Sequence, residues 1–522
     1  MQAQTRYLNV LVFVAGMTTL GVELAASRLL EPWFGSSILV WASLIGLILL
    51  YLSVGYTLGG RLADRSPNLL TLCQLAAWAG FLIGWVPLLS RPVLSLAARG
   101  FDDVRFDLAL LGGSLSGVLA LLAVPVILLG CIAPFAVRLT VTHVDSTGQA
   151  SGRIYALSTV GSILGVFLPV LVLIPQVGTR QTFSMLGIGL LAIACYGIWL
   201  CTHRARALFP YAGMLLIVLL IAWVARSAPI KPAPGLVFEA ETPYNYVQVV
   251  HQDGEMRLLL NEGQGLQSVY APDMALSEGI WDYFLIVPFF NSPPYSTEQV
   301  DSLCLIGLAG GTIAHLYTQV FGSIPIDGVE LDPTVIEAGQ RYFAMTQLNI
   351  RAVAQDGRFF LQTTDRRYDV IAVDAYRPPY IPFHLATVEF FELARAHLTD
   401  EGVIAVNVGR THDDYRLVDA LAATLSQVFP SVYIVDEPDL GYGLGNSLVV
   451  GTVQPTRLEN LHVNAAALTH PLIIEVMRRA LPQARVAKPL PDTPIFTDDR
   501  APIEQVVHGI ILRYLLSSDA KQ

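Results

Sequence analysis

The sequence predicts a multi-pass α-helical membrane domain followed by a doubly wound, mostly parallel α/β domain. Three observations carry this expectation. Of 522 residues, 53% are hydrophobic and only 14% charged, well below the roughly one quarter expected of a soluble globular chain. The charges are unevenly placed: residues 1–228 hold 13 Arg against 7 Asp and Glu, whereas residues 229–522 hold 19 Lys and Arg against 35 Asp and Glu. Apolar runs in the first part are of bilayer length, while those in the second are short and alternate with helical patterns. The acidic second half lacks the basic surface that phosphate binding needs, which argues against nucleic acid as a partner. Five cysteines at 73, 131, 195, 201 and 304 share no C-x-x-C spacing, so neither a disulfide scaffold nor a zinc cluster is supported.

Within residues 1–228, charge-free runs of about 20 residues or more suit bilayer crossings: Pro32 to Gly60, Pro67 to Ser90, Leu108 to Val137, Ile154 to Thr179, Gln181 to Thr202 and Ala207 to Ala225. Leu8 to about Leu30 adds a further apolar span. That makes about seven helices, and eight if Pro125, Gly130 and Pro134 break the fourth. Lys and Arg fall seven against seven on alternate sides, so the positive-inside rule leaves the orientation open. Glu23 and Arg28 lie inside the first span. An acid there is costly unless it faces water or a partner, so Glu23 either lines a polar cavity or pairs with an Arg of another helix. Ser158, Gly161, Ser162 and Gly165 provide the small-residue spacing that lets helix backbones approach closely.

Residues 229–235 read as a proline-rich linker, and residues 236–300 as a small β region whose hairpin turns at Asp253-Gly254. Strand and helix then alternate through residues 301–455: strand 302–307, helix 312–321, strand 324–331, helix 333–342, strand 370–374, with further strands at 403–407, 432–436 and 447–452. Alternation of this kind specifies a doubly wound sheet, with helices expected in the tail, residues 456–522. Ligands in such folds bind at the carboxyl ends of the strands. Four candidates fall there. The turn Gly307-Leu308-Ala309-Gly310-Gly311 lets backbone approach a ligand, Glu330 ends the second strand where it can accept ribose hydroxyl protons, Asp356-Gly357 follows the third, and Asp374 ends the fourth. Their register with one another is more specific than any one of them, although Glu330 and Asp356 are also well placed to be helix caps or turn acids.

The stretch from Tyr244 to Gly451 resembles the polyamine aminopropyltransferases, the spermidine synthase family, and the whole chain resembles the bacterial members fused to an N-terminal membrane domain. The matching pieces are Tyr244-Asn245-Tyr246-Val247-Gln248, Leu260-Asn261-Glu262-Gly263 before Gln267, the glycine turn, Val329-Glu330-Leu331-Asp332, Asp356-Gly357, Asp374 and Glu389-Phe390-Phe391. The resemblance implies a Rossmann-like, methyltransferase-type sheet with no prosthetic group. The expected substrate is S-adenosylmethionine or its decarboxylated form, from which an amine takes the aminopropyl chain and releases methylthioadenosine. It further implies Asp374 as base, Glu330 on the ribose and Asp356 on the adenine, with Gln248, Gln267, Asp282, Gly307, Gly310 and Gly357 also lining the substrate site. A homodimer and a polyamine partner follow from the same resemblance. Since the donor nucleosides are cytosolic, the soluble domain is expected on the cytoplasmic face of a bacterial inner membrane.

Three departures matter. Ala309 stands where the family carries an acid that grips the donor amine, and Arg377 replaces the second acid of the family's Asp-x-x-Asp-Pro motif. Ile280 and Trp281 fall where the family has the Tyr and His of its amine pocket, although Asp282 keeps an acid. Ala309 and Arg377 together suit a donor that retains its carboxylate, because Arg pairs with carboxylates. Two alternatives therefore stand beside aminopropyl transfer: an S-adenosylmethionine lyase or cyclase that needs no polyamine, and a transporter or sensor with a regulatory nucleoside domain. Thr497-Asp498-Asp499-Arg500-Ala501-Pro502, before a last apolar helix at 503–516, resembles a segment of the membrane-fused members and could close over the site or cap that helix.

Overall fold

The computed structural model describes residues 2–35, 38–99, 106–141, 147–226, 228–261, 265–376, 381–438 and 444–516. It forms two compact units, one of Met1–Ala233 with Glu239–Tyr246 and Asn261–Gln264, the other of Pro234–Phe238, Val247–Leu260 and Gly265–Gln522.

The first unit is helical: α1 Gln2–Phe34, α2 Ile38–Arg65, α3 Leu69–Arg99, α4 Phe106–Thr140, α5 Thr147–Leu168, α6 Thr179–Thr202 and α7 Ala205–Ala225. Among the described residues, seven segments here are long and apolar enough to cross a membrane. No eighth crossing arises from the fourth span, because α4 runs unbroken through Pro125 and Pro134. The irregularity sits instead in the fifth, where a π-helical turn at Pro169–Leu173 and a short helix to Val177 end at Gly178, φ +82°. Small residues set the helix spacing, since van der Waals packing is what holds apolar helices together in lipid. A Cβ on Gly161 would stand 2.0 Å from the Phe13 carbonyl oxygen and one on Gly165 2.1 Å from that of Met17, while the Ser162 hydroxyl donates to the Gly16 carbonyl at 3.2 Å. Among the described residues Glu23 makes no ion pair, so pairing with an Arg of another helix, one of its two expected roles, is not seen there. Arg28 instead binds Glu31 of its own helix at 2.9 Å, three residues along on the same face.

The second unit holds most of a four-stranded sheet, order β1-β2-β3-β4, of Leu236–Glu241, Tyr246–Gln252, Glu255–Leu260 and Leu266–Tyr270. Strands β2 and β3 form the antiparallel hairpin around Asp253 and Gly254, whose φ values of +55° and +84° suit a tight primed turn. The run Ile280–Phe290 follows and is buried throughout.

The main sheet comprises β5 Leu303–Ile306, β6 Ile326–Glu330, β7 Ile350–Ala354, β8 Tyr368–Val373, β9 Leu398–Thr411, β10 Ser431–Asp436, β11 Leu444–Thr452 and β12 Ala484–Val486, in the order β12-β10-β11-β9-β8-β5-β6-β7. Pairing is parallel from β9 through β8, β5 and β6 to β7, and antiparallel where β11 joins β9 and β10. Helices α8 Thr312–Phe321, α9 Pro333–Tyr342, α10 Gly357–Thr363, α11 Val388–Ala396 and α12 Arg416–Leu425 connect the strands. The core lies on both faces of the sheet: Leu303 and Leu305 of β5 enter one apolar cluster, Cys304 and Ile306 the other, as the two-residue period of a strand requires. The C-terminal stretch adds helices α13 Leu458–Ala467, α14 Pro471–Ala480 and α15 Ile503–Leu516. It is not wholly helical, since β12 pairs with β10 and extends the sheet at that edge.

Strand order reverses between β5 and β8, which are neighbours in the sheet although three helices and two strands separate them in sequence. That reversal opens a crevice at the carboxyl ends of the parallel strands.

Candidate active site

At this crevice the chain after β5 turns beside the end of β8. A Cβ on Gly307 would lie 2.4 Å from the backbone oxygen of Asp374, and Gly307 has φ +93°, so only glycine fits this approach. The turn is laced to β4: the Gly310 N–H donates to the Ser268 hydroxyl at 2.8 Å, and Thr312 exchanges hydrogen bonds with Val269 at 3.0 and 2.9 Å. Gln267, next to Ser268 and partly buried, is thereby carried to the same edge. Gln248 lies inside β2 and is buried.

Glu330 closes β6 beneath the glycine turn. One carboxylate oxygen accepts from the Ala309 N–H at 3.0 Å and the other from the Asp332 N–H at 3.1 Å. Each oxygen keeps acceptor capacity beyond these single bonds. Burial pushes the Glu330 carboxyl above its usual range, against the backbone donors that pull it down. Ala309 itself sits at φ +47°, a left-handed conformation uncommon for a non-glycine residue.

Asp374 follows β8, with both oxygens held by neutral donors. The Trp281 indole N–H donates to Oδ2 at 2.9 Å and the Asn407 amide to Oδ1 at 2.8 Å. Oδ1 of Asn407, at the level of the same strand ends, is buried and has no partner among the described residues. Burial pushes the Asp374 carboxyl up to about 7, with the Asn407 and Trp281 hydrogen bonds opposing. A carboxyl that titrates near neutrality can exchange protons with a substrate at working pH. Tyr376, two residues on, takes the Gly409 N–H on its hydroxyl at 3.0 Å and covers that side of β9.

Asp356 caps α10 by accepting from the Phe359 N–H at 3.0 Å, and its other oxygen meets His384 Nε2 at 2.8 Å. Its cap role is thus real, and any adenine contact must compete with His384. Gly357 serves packing: a Cβ there would stand 2.3 Å from Cγ2 of Ile306. The Asp498 carboxylate of the C-terminal motif ties down this corner, taking Arg358 at 2.7 and 2.6 Å and the Thr387 hydroxyl at 2.8 Å. It does not cap α15, which starts five residues later; it binds the first turn of α10 and the N-cap residue of α11.

Asp282 is placed differently from the amine-pocket acid expected of it. It is fully buried, accepting from Ser277 N–H and hydroxyl at 2.8 and 2.6 Å, from Glu278 N–H at 3.0 Å and from Arg479 at 2.7 Å. Those four bonds consume its acceptor capacity and make it the anchor of the turn before Trp281. Arg377 lies outside the described residues. The structure therefore gathers Gly307, Ala309, Gly310, Glu330 and Asp374 at one crevice, with Gln267 at its border, and adds Trp281, Asn407 and His384. Asn407 was legible as the last residue of a strand, whereas His384 follows a proline-rich run with no periodic signal.

Residues 305–445 match the Spermine/spermidine synthase domain. The chain is 32% identical over 221 residues to the probable polyamine aminopropyl transferase of Bifidobacterium longum, covering 41% of this chain and 48% of that protein. It is 28% identical over 192 residues to the polyamine aminopropyltransferase of Vibrio vulnificus, covering 36% and 61%. Thus it spans about half to three fifths of the length of these relatives. Polyamine aminopropyltransferase 2 of Ralstonia nicotianae is 23% identical over 441 residues, 80% of this chain and 81% of that protein, more residues than residues 229–522 contain.

Proposed function

We propose that this chain, whose residues 305–445 carry a spermine/spermidine synthase domain, is a membrane-embedded aminopropyltransferase-like enzyme acting on S-adenosylmethionine or its decarboxylated form. The observation that carries the reading is Asp374: a carboxyl raised to about 7, at the switch point of the sheet, beside a glycine turn that holds Glu330. Glu330 would accept the ribose hydroxyls, and the backbone of the glycine turn leaves room for the sulfonium and its chain. Asp374 would take a proton from the acceptor's ammonium. The freed nitrogen pair then attacks the carbon bonded to the sulfonium, the C–S bond breaks, and its electrons neutralise the sulfur as methylthioadenosine leaves. Seven apolar helices support a membrane location, and a cytosolic donor favours the cytoplasmic side for the soluble unit.

Ala309 favours a second reading, in which the donor keeps its carboxylate and the enzyme cleaves or cyclises S-adenosylmethionine. No acid stands at that position to repel the carboxylate.

Purified protein incubated with each donor, with and without a diamine, distinguishes the readings by mass: amine-dependent methylthioadenosine supports transfer, amine-independent release supports the second reading, and S-adenosylhomocysteine or no turnover defeats both. Glu330→Gln should weaken methylthioadenosine binding by about tenfold or more, because an amide offers fewer acceptors and the lost charge-assisted bonds are worth roughly 1.5–3 kcal/mol. Unchanged affinity by calorimetry removes Glu330 from the donor site.

A further inference from the structure

A second carboxylate faces the same region and has no role in the steps above. Glu437 follows β10, and its backbone N–H donates to the Asn446 carbonyl at 2.9 Å, which extends the pairing with β11. Oε2 accepts from the backbone N–H and side-chain amide of Asn446 at 3.2 and 3.3 Å. Oε1 has no hydrogen bond or ion pair among the described residues. The nearby Arg410 donates its hydrogen bonds to the Glu437 carbonyl at 2.8 Å, to Ser447 and to the Thr411 carbonyl, and pairs with Asp436 at 3.7 Å, so it reaches the Glu437 carboxylate through its charge alone. Burial raises the Glu437 carboxyl above its usual range, with the Asn446 hydrogen bonds and the Arg410 charge opposing, so a partly desolvated acid keeps one oxygen without a hydrogen bond among the described residues.

Glu437 and Trp281 both border Gly279. A methyl on Gly279 would lie 3.7 Å from the benzo edge of the Trp281 ring and 3.9 Å from Oε1 of Glu437. The N–H edge of the same ring binds Asp374. The indole thus reaches from the Asp374 carboxylate, which its N–H binds, to the Gly279 backbone that Glu437 also borders. From β8 to β10 the sheet crosses three strand spacings, roughly 14 Å between backbones at about 4.8 Å each, and both side chains stand at the same edge of the sheet.

We propose that Glu437 is a specificity-determining residue for the acceptor, receiving a second cationic nitrogen while Asp374 deprotonates the first. The aliphatic chain between the two nitrogens lies along Trp281, whose face also attracts cations. This assigns to β10 the recognition that Arg377 and Asp282 do not provide, the first being basic and the second saturated. The inference rests on the aminopropyl-transfer reading and selects acceptors with at least two cationic nitrogens over monoamines.

The test compares wild-type, Glu437→Gln and Glu437→Asp full-length protein with 1,4-diaminobutane and n-butylamine, following methylthioadenosine release. For Glu437→Gln we expect KM for the diamine to rise about tenfold or more, as loss of a charge-assisted bond implies, with kcat and the butylamine KM nearly unchanged. Glu437→Asp should fall between. Calorimetry with methylthioadenosine must give wild-type affinity for both variants, confirming an intact donor site; a lost donor site assigns Glu437 to folding and overturns the inference. Equal effects on diamine and monoamine, or no effect, also overturn it while leaving transfer intact. A wild-type protein that binds methylthioadenosine yet transfers to no amine defeats the functional reading itself. Diamine titration onto the methylthioadenosine complex then tests Glu437 on its own: equal diamine affinity in wild type and Glu437→Gln overturns its role.

Discussion

The indole N–H of Trp281 lies 2.9 Å from Oδ2 of Asp374, so a residue from a buried apolar run sets the charge state of the candidate base. It favours the ionised carboxylate against the burial that opposes it. Trp281→Phe keeps most of the ring and removes the donor. At roughly 1.5–3 kcal/mol for a charge-assisted bond, the acid limb of the rate profile should move up by about one to two pH units. Activity near pH 7 then falls by about tenfold or more and recovers at higher pH. A rate profile that only scales down, with its limb unmoved, would show that the bond orients Asp374 without tuning it.

Asp374 should also govern the pH dependence of the wild-type protein. With the carboxyl at about 7, turnover should fall tenfold per pH unit below that value and level off above it. Asp374→Asn should cost about 10² to 10⁴ in rate, the range for a positioned general base. Stability gives an independent check with a definite sign. Because the folded carboxyl titrates above the unfolded one, near 3.9, the folded state binds the extra proton between those values, and wild-type stability falls as pH rises through them. The Asn variant lacks this loss. Its melting temperature should exceed that of wild type at pH 8 and converge with it near pH 4. A constant difference across pH would mean that Asp374 is not desolvated.

The elements were legible where one pattern had a single reading. Helix α8 at 312–321 and α9 at 333–342 match the periodicity, with Pro333 in the first turn of α9 and Asp332 as its cap. The seven spans were legible because an unbroken apolar run of that length suits little besides a bilayer crossing. Glu330, Asp356 and Asp374 could be placed at strand ends, but their hydrogen bonds could not, since those depend on tertiary neighbours. Asp282 illustrates this. As a lone acid beside an expected pocket it reads as a ligand, and only the approach of Arg479, almost 200 residues later in the chain, shows it to be spent. Trp281 carries the opposite lesson, because inside a run of buried apolar residues it reads as core until its N–H is seen on Asp374.

Asp498 offers a test of the C-terminal motif. It links Arg358, two residues past Asp356, to the cap residue Thr387 of α11, and the Arg358 hydrogen bonds hold its carboxyl below the usual range. Exposed ion pairs are usually worth no more than about 1 kcal/mol, but this contact is bidentate and carries a third donor. Asp498→Ala should lower the melting temperature by a few degrees and weaken methylthioadenosine binding several-fold by loosening the start of α10. Wild-type affinity with a lowered melting temperature would make the motif a stabilising clasp with no part in the donor site.

Donor choice turns on Ala309. Its φ of +47° is a conformation that Asp adopts more readily than Ala, so Ala309→Asp changes charge at this turn without adding backbone strain. The Ala309 N–H already holds Oε2 of Glu330 at 3.0 Å, which keeps the backbone donor in place whatever the side chain. A new carboxylate near a donor that retains its own carboxylate should penalise S-adenosylmethionine by a few kcal/mol, given about 4 kcal/mol for unit charges 4 Å apart at an effective dielectric of 20. The decarboxylated donor presents an ammonium without that carboxylate, so the same acid should leave its binding unchanged or improve it. Proximity to Glu330 adds a repulsion common to both donors, which cancels in their ratio. In a competition assay the variant should therefore shift preference toward the decarboxylated donor by about tenfold or more. Equal effects on both donors would show that the donor's terminal group lies away from this turn, and would return the choice between donors to residues on the acceptor side of the crevice.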